Sequence, residues 1–187
     1  MVQAVLELAW SHLTARHGVP RYRLGRQHRR AGFAVIGYGK RGGRELGYGS
    51  DLDLVFLHDS LGDEQCTDGA HAVDNAVFYA RLGQRIIHIL GTYTPSGVLY
   101  QVDMRLRPSG ASGLLVSGIE GFSDYQREQA WTWEHQALVR ARPVAGDPAI
   151  ADGFAAVRRR ELARARDPED LRREVAEMRT RMRQSHA

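Results

Sequence analysis

Two apolar runs joined by a glycine-rich turn constrain this chain more than any other feature. Phe33–Ile36 ends in Gly37, and Asp51–Leu57 is apolar at every position except Asp51 and Asp53. Short continuous runs of this kind, bounded by glycine, predict buried strands. A buried strand has no ordinary use for two carboxylates, because an uncompensated charge there is costly. Whatever the chain does must account for Asp51 and Asp53.

The turn itself allows several phosphate-binding readings. Gly37-Tyr38-Gly39-Lys40-Arg41-Gly42 satisfies the G-x-G-x-x-G pattern of dinucleotide sites. Only nine residues separate Gly42 from Leu52, however, and a parallel crossover with its helix needs at least ~10 to 12. A Walker loop fails too, because Ala34 stands where its first Gly belongs and Arg41 where Ser or Thr belongs. The pattern of a nucleophile elbow is absent around Ser50. A plain structural turn remains open, but it leaves the acids unexplained.

Period-2 spacing aims Asp51 and Asp53 to one side of a strand. A third acid, Asp103, lies in Gly97–Arg107, whose alternation predicts a strand with Val102, Met104 and Leu106 on one face and Asp103, Arg105 and Arg107 on the other. Hard carboxylate oxygens suit Mg²⁺, which is commonly held by one or two carboxylates and completed by water and phosphate. Three acids from two strands beside a glycine-rich turn fit a two-ion site, with the arginines meeting phosphate oxygens bidentately. In the plainer alternative Asp103 pairs with Arg105 or Arg107 on an exposed face.

Around this centre the apolar spacing predicts a helix over Val2–Leu13 stopped by Gly18 and Pro20, a polar linker over Tyr22–Arg30 and a polar loop over Gly62–Gly69. Residues 73–90 read as a largely buried helix with two apolar stripes. Ser117-x-x-Glu120 reads as a capping box for a helical region reaching, with a break, to Arg142. Asp147-Pro148 and Asp167-Pro168 each read as an N-cap followed by proline at the first helical position. The last helix, with a narrow stripe of Leu171, Val175, Met178 and Met182, lacks a C-cap signal, as expected of a piece of something longer. The expected divisions are 1–31 (helix and linker), 32–145 (core) and 146–187 (C-terminal helices).

Composition narrows the partners. The net charge is +4. Residues 158–183 hold ten arginines against six acids, an excess equal to that whole charge. Acids alternate among those arginines, so a solvated helix pair is expected there rather than a nucleic-acid stripe. Lys40 is the only lysine. No run approaches the ~20 apolar residues of a membrane helix, and Cys66, the single cysteine, excludes an internal disulfide. A soluble, cytoplasmic protein is expected. The eight histidines show no zinc-ligand spacing.

Three long motifs, "GYGKRGGRELGYGSDLDLVFLHD", "YQVDMRLRPSGASGLLVS" and "AWTWEHQALVRARPVAGD", together resemble the nucleotidyltransferase domains of the bacterial glutamine synthetase adenylyltransferase (glutamate-ammonia-ligase adenylyltransferase) family. The resemblance implies an α/β (α+β) DNA polymerase beta-like nucleotidyltransferase fold, a small mixed sheet flanked by helices. It implies transfer of AMP from ATP to a tyrosine of glutamine synthetase with release of pyrophosphate. The "AWTWEHQAL" wording and Pro108-Ser109-Gly110 resemble the adenylylating copy; the alternatives are the phosphorolytic, AMP-removing copy or a small-molecule nucleotidyltransferase. By the same resemblance Asp51, Asp53 and Asp103 hold two Mg²⁺ ions, and Gly39, Lys40, Gly42, Gly43, Ser50, Arg105 and Arg107 meet the nucleotide. Arg41 departs from the Leu of the family's Gly-Lys-Leu-Gly-Gly. Trp131, Trp133, Glu134 and His135 are candidates for a substrate surface, with Trp133 expected in the core. Nitrogen-signalling regulators are implied through regions outside this chain.

Overall fold

A computed structural model describes residues 1–39, 51–95, 97–98 and 100–185. Its centre is a mixed sheet of five strands: β3 (Phe33–Gly37), β4 (Leu52–His58), β8 (Val102–Asp103), β9 (Val116–Gly118) and β10 (Arg142–Gly146). The order β10-β3-β4-β8 is antiparallel up to β4, while β8 and β9 both run parallel to β4. Helices cover both faces. Alternate residues of β3 and β4 therefore serve two cores, which is why their sequences run apolar without a break.

One core holds Phe33, Val35, Leu52, Leu54 and Phe56 against α1 (Val2–His17) and α2 (Asn75–Gly91). The other holds Ala34, Ile36, Val55 and Leu57 against α3 (Ile119–Glu128), α4 (Thr132–Leu138) and α5 (Pro148–Ala163). Burying each Phe, Leu or Ile contributes ~1.5 to 3 kcal/mol. Of the two stripes on α2, Phe78, Leu82 and Ile86 are buried, whereas Val77 is 40% exposed. One face of the helix packs, not most of it.

The predicted strands β3 and β4, helix α1 and both Asp-Pro helix starts are present. Asp147 Oδ1 accepts from Ala149 N at 2.8 Å, and Asp167 Oδ1 accepts from Glu169 N at 2.8 Å at the start of α6 (Pro168–Ser185). Several expectations are corrected. Tyr22–Arg30 is not a linker but most of a hairpin, β1 (Pro20–Leu24) and β2 (Gln27–Arg30), and the polar loop over 62–69 contains β5 (Asp63–Thr67), which completes a separate antiparallel sheet β2-β1-β5. These strands carry charges instead of apolar alternation. Arg21 pairs with Asp68, and Arg23 with Glu64 and Asp63, across the β1–β5 side.

The single strand expected over 97–107 is two short pieces, β7 (Gly97–Val98, hydrogen-bonded to β6, Tyr93–Thr94) and β8, after which the chain turns. Met104 consequently packs in the first core and Leu106 against the second, not on one face. No capping box opens α3, because Ser117 lies in β9 and Gly118 is the N-cap without a side-chain bond. Arg142 begins β10, where Pro143 faces Ile36 on an outer strand that tolerates a missing N–H.

Candidate active site

The acids gather where β4 enters the sheet. Asp53 has the parity of Val55 and Leu57, so it belongs to the second core's face, just outside the apolar packing. In the parallel pairing of β4 with β8, Leu52 stands opposite Val102 and Asp53 opposite Asp103. Register-matched residues share a face, so the two carboxylates are neighbours on adjacent strands. The backbone fixes this through Leu52 N, which donates to Gln101 O at 2.8 Å. Asp51, exposed, lines with Asp103, Arg105 and Arg107 an open hollow of about 440 Å³.

Over Asp53 lies the start of the glycine-rich turn. Tyr38 N donates to Asp53 O at 2.9 Å, and the Tyr38 ring is buried in the second core. Gly39 has φ +52°, and a Cβ there would stand 2.5 Å from Asp53 Oδ2. Only glycine lets the backbone approach this carboxylate so closely. Lys40, Gly42, Gly43 and Ser50, the other expected phosphate-facing residues, lie outside the described residues, as do Arg41 and Leu46.

Electrostatics separate the two paired acids. Partial burial, then the negative charges of Asp103 and Asp51, push the Asp53 carboxyl above the usual range, with Arg105 offsetting part of this. Asp103 is held below the usual range by Arg105, whose backbone N donates to Oδ1 at 2.8 Å and whose Nε donates to Oδ2 at 2.7 Å. The pairing weighed as the plainer alternative is thus present, yet it occurs beside Asp53. Arg107 makes no hydrogen bond to the acids: its guanidinium donates to the carbonyls of Met104 (2.9 Å) and Ala111 (3.1 Å), bracing the excursion between β8 and β9 from the wall of the same hollow. Among the described residues no three His, Cys, Asp or Glu side chains are grouped as an ion-binding set.

Around α4, Glu134 and His135 are buried, whereas Trp131 is 59% and Trp133 40% exposed. Trp133 is therefore not a core residue. Glu134 Oε1 accepts from Tyr125 Oη at 2.9 Å and Oε2 from Trp131 N at 2.9 Å, joining α3 to α4. A roomier hollow of about 640 Å³ between α4 and α6, lined by Trp131, Arg166 and Glu174 among others, shares no residue with the acid hollow. Size does not mark the chemistry here. No helix among the described residues is long and apolar enough to cross a membrane.

A mixed sheet between helical layers, with acids paired at the entry of adjacent strands beneath Gly39, is an α/β arrangement of the nucleotidyltransferase type. The family model for glutamate-ammonia ligase adenylyltransferase matches residues 1–157, and the chain belongs to that family. It is 63% identical over 187 residues to the bifunctional glutamine synthetase adenylyltransferase/adenylyl-removing enzyme of Thioalkalivibrio sulfidiphilus, covering 100% of this chain and 19% of the relative. Similar relatives of the same description occur in Nitrosococcus oceani (59% over 183 residues; 98% and 19%) and Pseudomonas aeruginosa (59% over 180 residues; 96% and 18%). The chain spans about a fifth of the length of these curated relatives.

Proposed function

We propose that this chain transfers AMP from ATP to a tyrosine of glutamine synthetase. The observation that carries the reading is the in-register pairing of Asp53 with Asp103 beneath Gly39. In this reading the tyrosine oxygen attacks the α-phosphorus, the bond to the β-phosphate's bridging oxygen breaks, and pyrophosphate leaves. Asp103 accepts the phenolic proton. Lys40, Gly42, Gly43 and Ser50 hold the triphosphate, and Arg105 and Arg107 are the further cations available to it.

The donor set suits Mg²⁺. Asp51, Asp53 and Asp103 offer hard oxygens, and the mutual repulsion that raises the Asp53 carboxyl is what a divalent cation relieves. In the structure a cation, Arg105, already sits on Asp103. A two-ion site would take Asp51, Asp53 and Asp103 as ligands, with Arg105 giving up Asp103 for phosphate. When bound, such ions neutralise triphosphate charge and bring a phenol, with its pKa of ~10, within reach of neutral pH.

The relatives' description covers attachment and removal of AMP, and one assay separates the two. With α-labelled ATP, Mg²⁺ and unmodified glutamine synthetase, label should appear on the protein. Loss of the AMP group from modified glutamine synthetase as ADP on adding phosphate, without the forward reaction, would assign the removing activity instead.

A further inference from the structure

The groove between α1 and α2 is positively charged and has no counter-charge among the described residues. Its volume is about 440 Å³, and it is lined by Arg16, Arg81 and Arg85 with His12, His17 and His88; no acidic side chain among the described residues lines it. Several arginines elsewhere meet carboxylates, as Arg21 does Asp68, Arg23 Glu64, Arg127 Asp124 and Arg173 Asp170. Here they do not. The side chains of Arg16 and Arg85 take part in no hydrogen bond or ion pair among the described residues.

One member of the set is built in. His17 is 5% exposed, and its Nδ1 meets the His71 carbonyl at 2.8 Å. That carbonyl can only accept, so Nδ1 carries the proton and Nε2 is left as an acceptor. Arg81 Nη1 donates to Nε2 at 3.2 Å. His17 thus fixes the guanidinium without bringing a negative charge to it. Complementing a helix dipole explains Arg16 at the end of α1, but Arg81 and Arg85 lie mid-helix, one turn apart, where like charges repel. This arrangement weakens the fold slightly unless an anion compensates it.

Past the groove, α2 is tied to the segment that enters β8. Beyond His88, Leu90 O accepts from Tyr100 N at 3.2 Å, and the next residue, Gln101, lines the acid hollow. From Arg81 to His88 the wall is seven residues long, ~10 Å of helix, enough for about three extended residues of a bound segment. No Phe, Tyr or Trp among the described residues lines the groove, so they offer no stacking platform of the kind single-stranded nucleic-acid sites use. We propose that this groove docks a carboxylate-rich segment of the protein substrate. The proposal rests on the protein-modifying function above.

The test combines direct binding with kinetics on Arg16→Glu/Arg85→Glu, whose positions are exposed; its melting curve verifies folding. Fluorescein-labelled octaglutamate should bind the wild type in a salt-dependent way and the variant about tenfold more weakly. In transfer assays the variant should raise KM for glutamine synthetase about tenfold while leaving kcat and KM for ATP unchanged. Equal octaglutamate affinity for both proteins, or tighter binding of octathymidylate than of octaglutamate, overturns the proposal. Octaglutamate binding lost in the variant, in a wild type that transfers no AMP, would keep the groove and discard the assigned reaction.

Discussion

Replacing Gly39 by alanine tests whether the glycine turn exists to admit the Asp53 carboxylate. The alanine Cβ would begin 2.5 Å from Oδ2, against at least 3.4 Å for ordinary contact, so the carboxylate must retreat by about 0.9 Å. It is the free end of a side chain and can do so. Stability then falls chiefly through the left-handed backbone, φ +52°, at ~1 to 2 kcal/mol, or ~2 to 8 °C in Tm for a chain of this size. Gly25 supplies the control: its φ is +61° and nothing lies within 4 Å of its missing Cβ. Gly25→Ala should melt about as early as Gly39→Ala. Activity should separate them, because a misplacement of ~1 Å at a reacting centre costs ~10²-fold. AMP transfer at saturating ATP and Mg²⁺ should fall about 100-fold in Gly39→Ala and stay near wild type in Gly25→Ala. Equal turnover in the two variants would refute the reasoning.

Other substitutions probe the same framework. Asp53→Asn should lose transfer by ~10³-fold or more yet melt no lower than wild type, since it removes a carboxylate that its neighbours repel; retained turnover with unchanged metal dependence would contradict this. His58, stacked on Tyr79 at 4.6 Å and accepting from Ser60 N at 3.1 Å, is pushed by burial from 6.5 down to about 4. Because the unfolded chain takes up a proton that the folded chain refuses, its contribution is present above pH 6.5 and is lost as pH falls toward 4, at ~1.4 kcal/mol per pH unit. Between pH 6.5 and 5 the unfolding free energy from denaturant melts should therefore drop by ~1.6 kcal/mol more in wild type than in His58→Gln, and parallel losses would sink the idea. Gly146→Ala, with φ +108° and a Cβ 2.2 Å from the Phe33 carbonyl, meets backbone that cannot yield; a loss of ~3 kcal/mol or more should appear in urea melts.

What the sequence disclosed follows from what the signals measure. Apolar runs reveal strands buried on both faces, so β3 and β4 were legible, and the Asp-Pro caps marked α5 and α6 because their oxygens bond locally. The β1-β2-β5 sheet was not legible, since its order comes from Arg21, Arg23 and their acidic partners rather than from apolar alternation. Alternation over 97–107 misled for the opposite reason. Met104 and Leu106 both need burial, and a turn delivers them to different cores as well as a strand would to one. Of the site, the pairing of Asp53 with Asp103 was foreshadowed by spacing. The Arg105 clamp was visible only as one alternative, and the tethering of Arg107 depends on loop carbonyls that no periodicity encodes. Trp133 shows the limit of helical spacing on a helix of seven residues, where too few turns exist to define a buried face.

Everything turns on a divalent ion and nucleotide meeting at the paired strands. Backbone NMR of the protein with Mn²⁺ and a non-hydrolysable ATP analogue tests this directly, because the paramagnetic ion broadens nearby amides. Signals of Leu52–Leu54 and Val102–Met104 should vanish first, and Asp53→Asn should prevent it. Broadening centred on the acids of α6, such as Asp170 and Glu174 beside the larger hollow, with those strands untouched, would contradict the account.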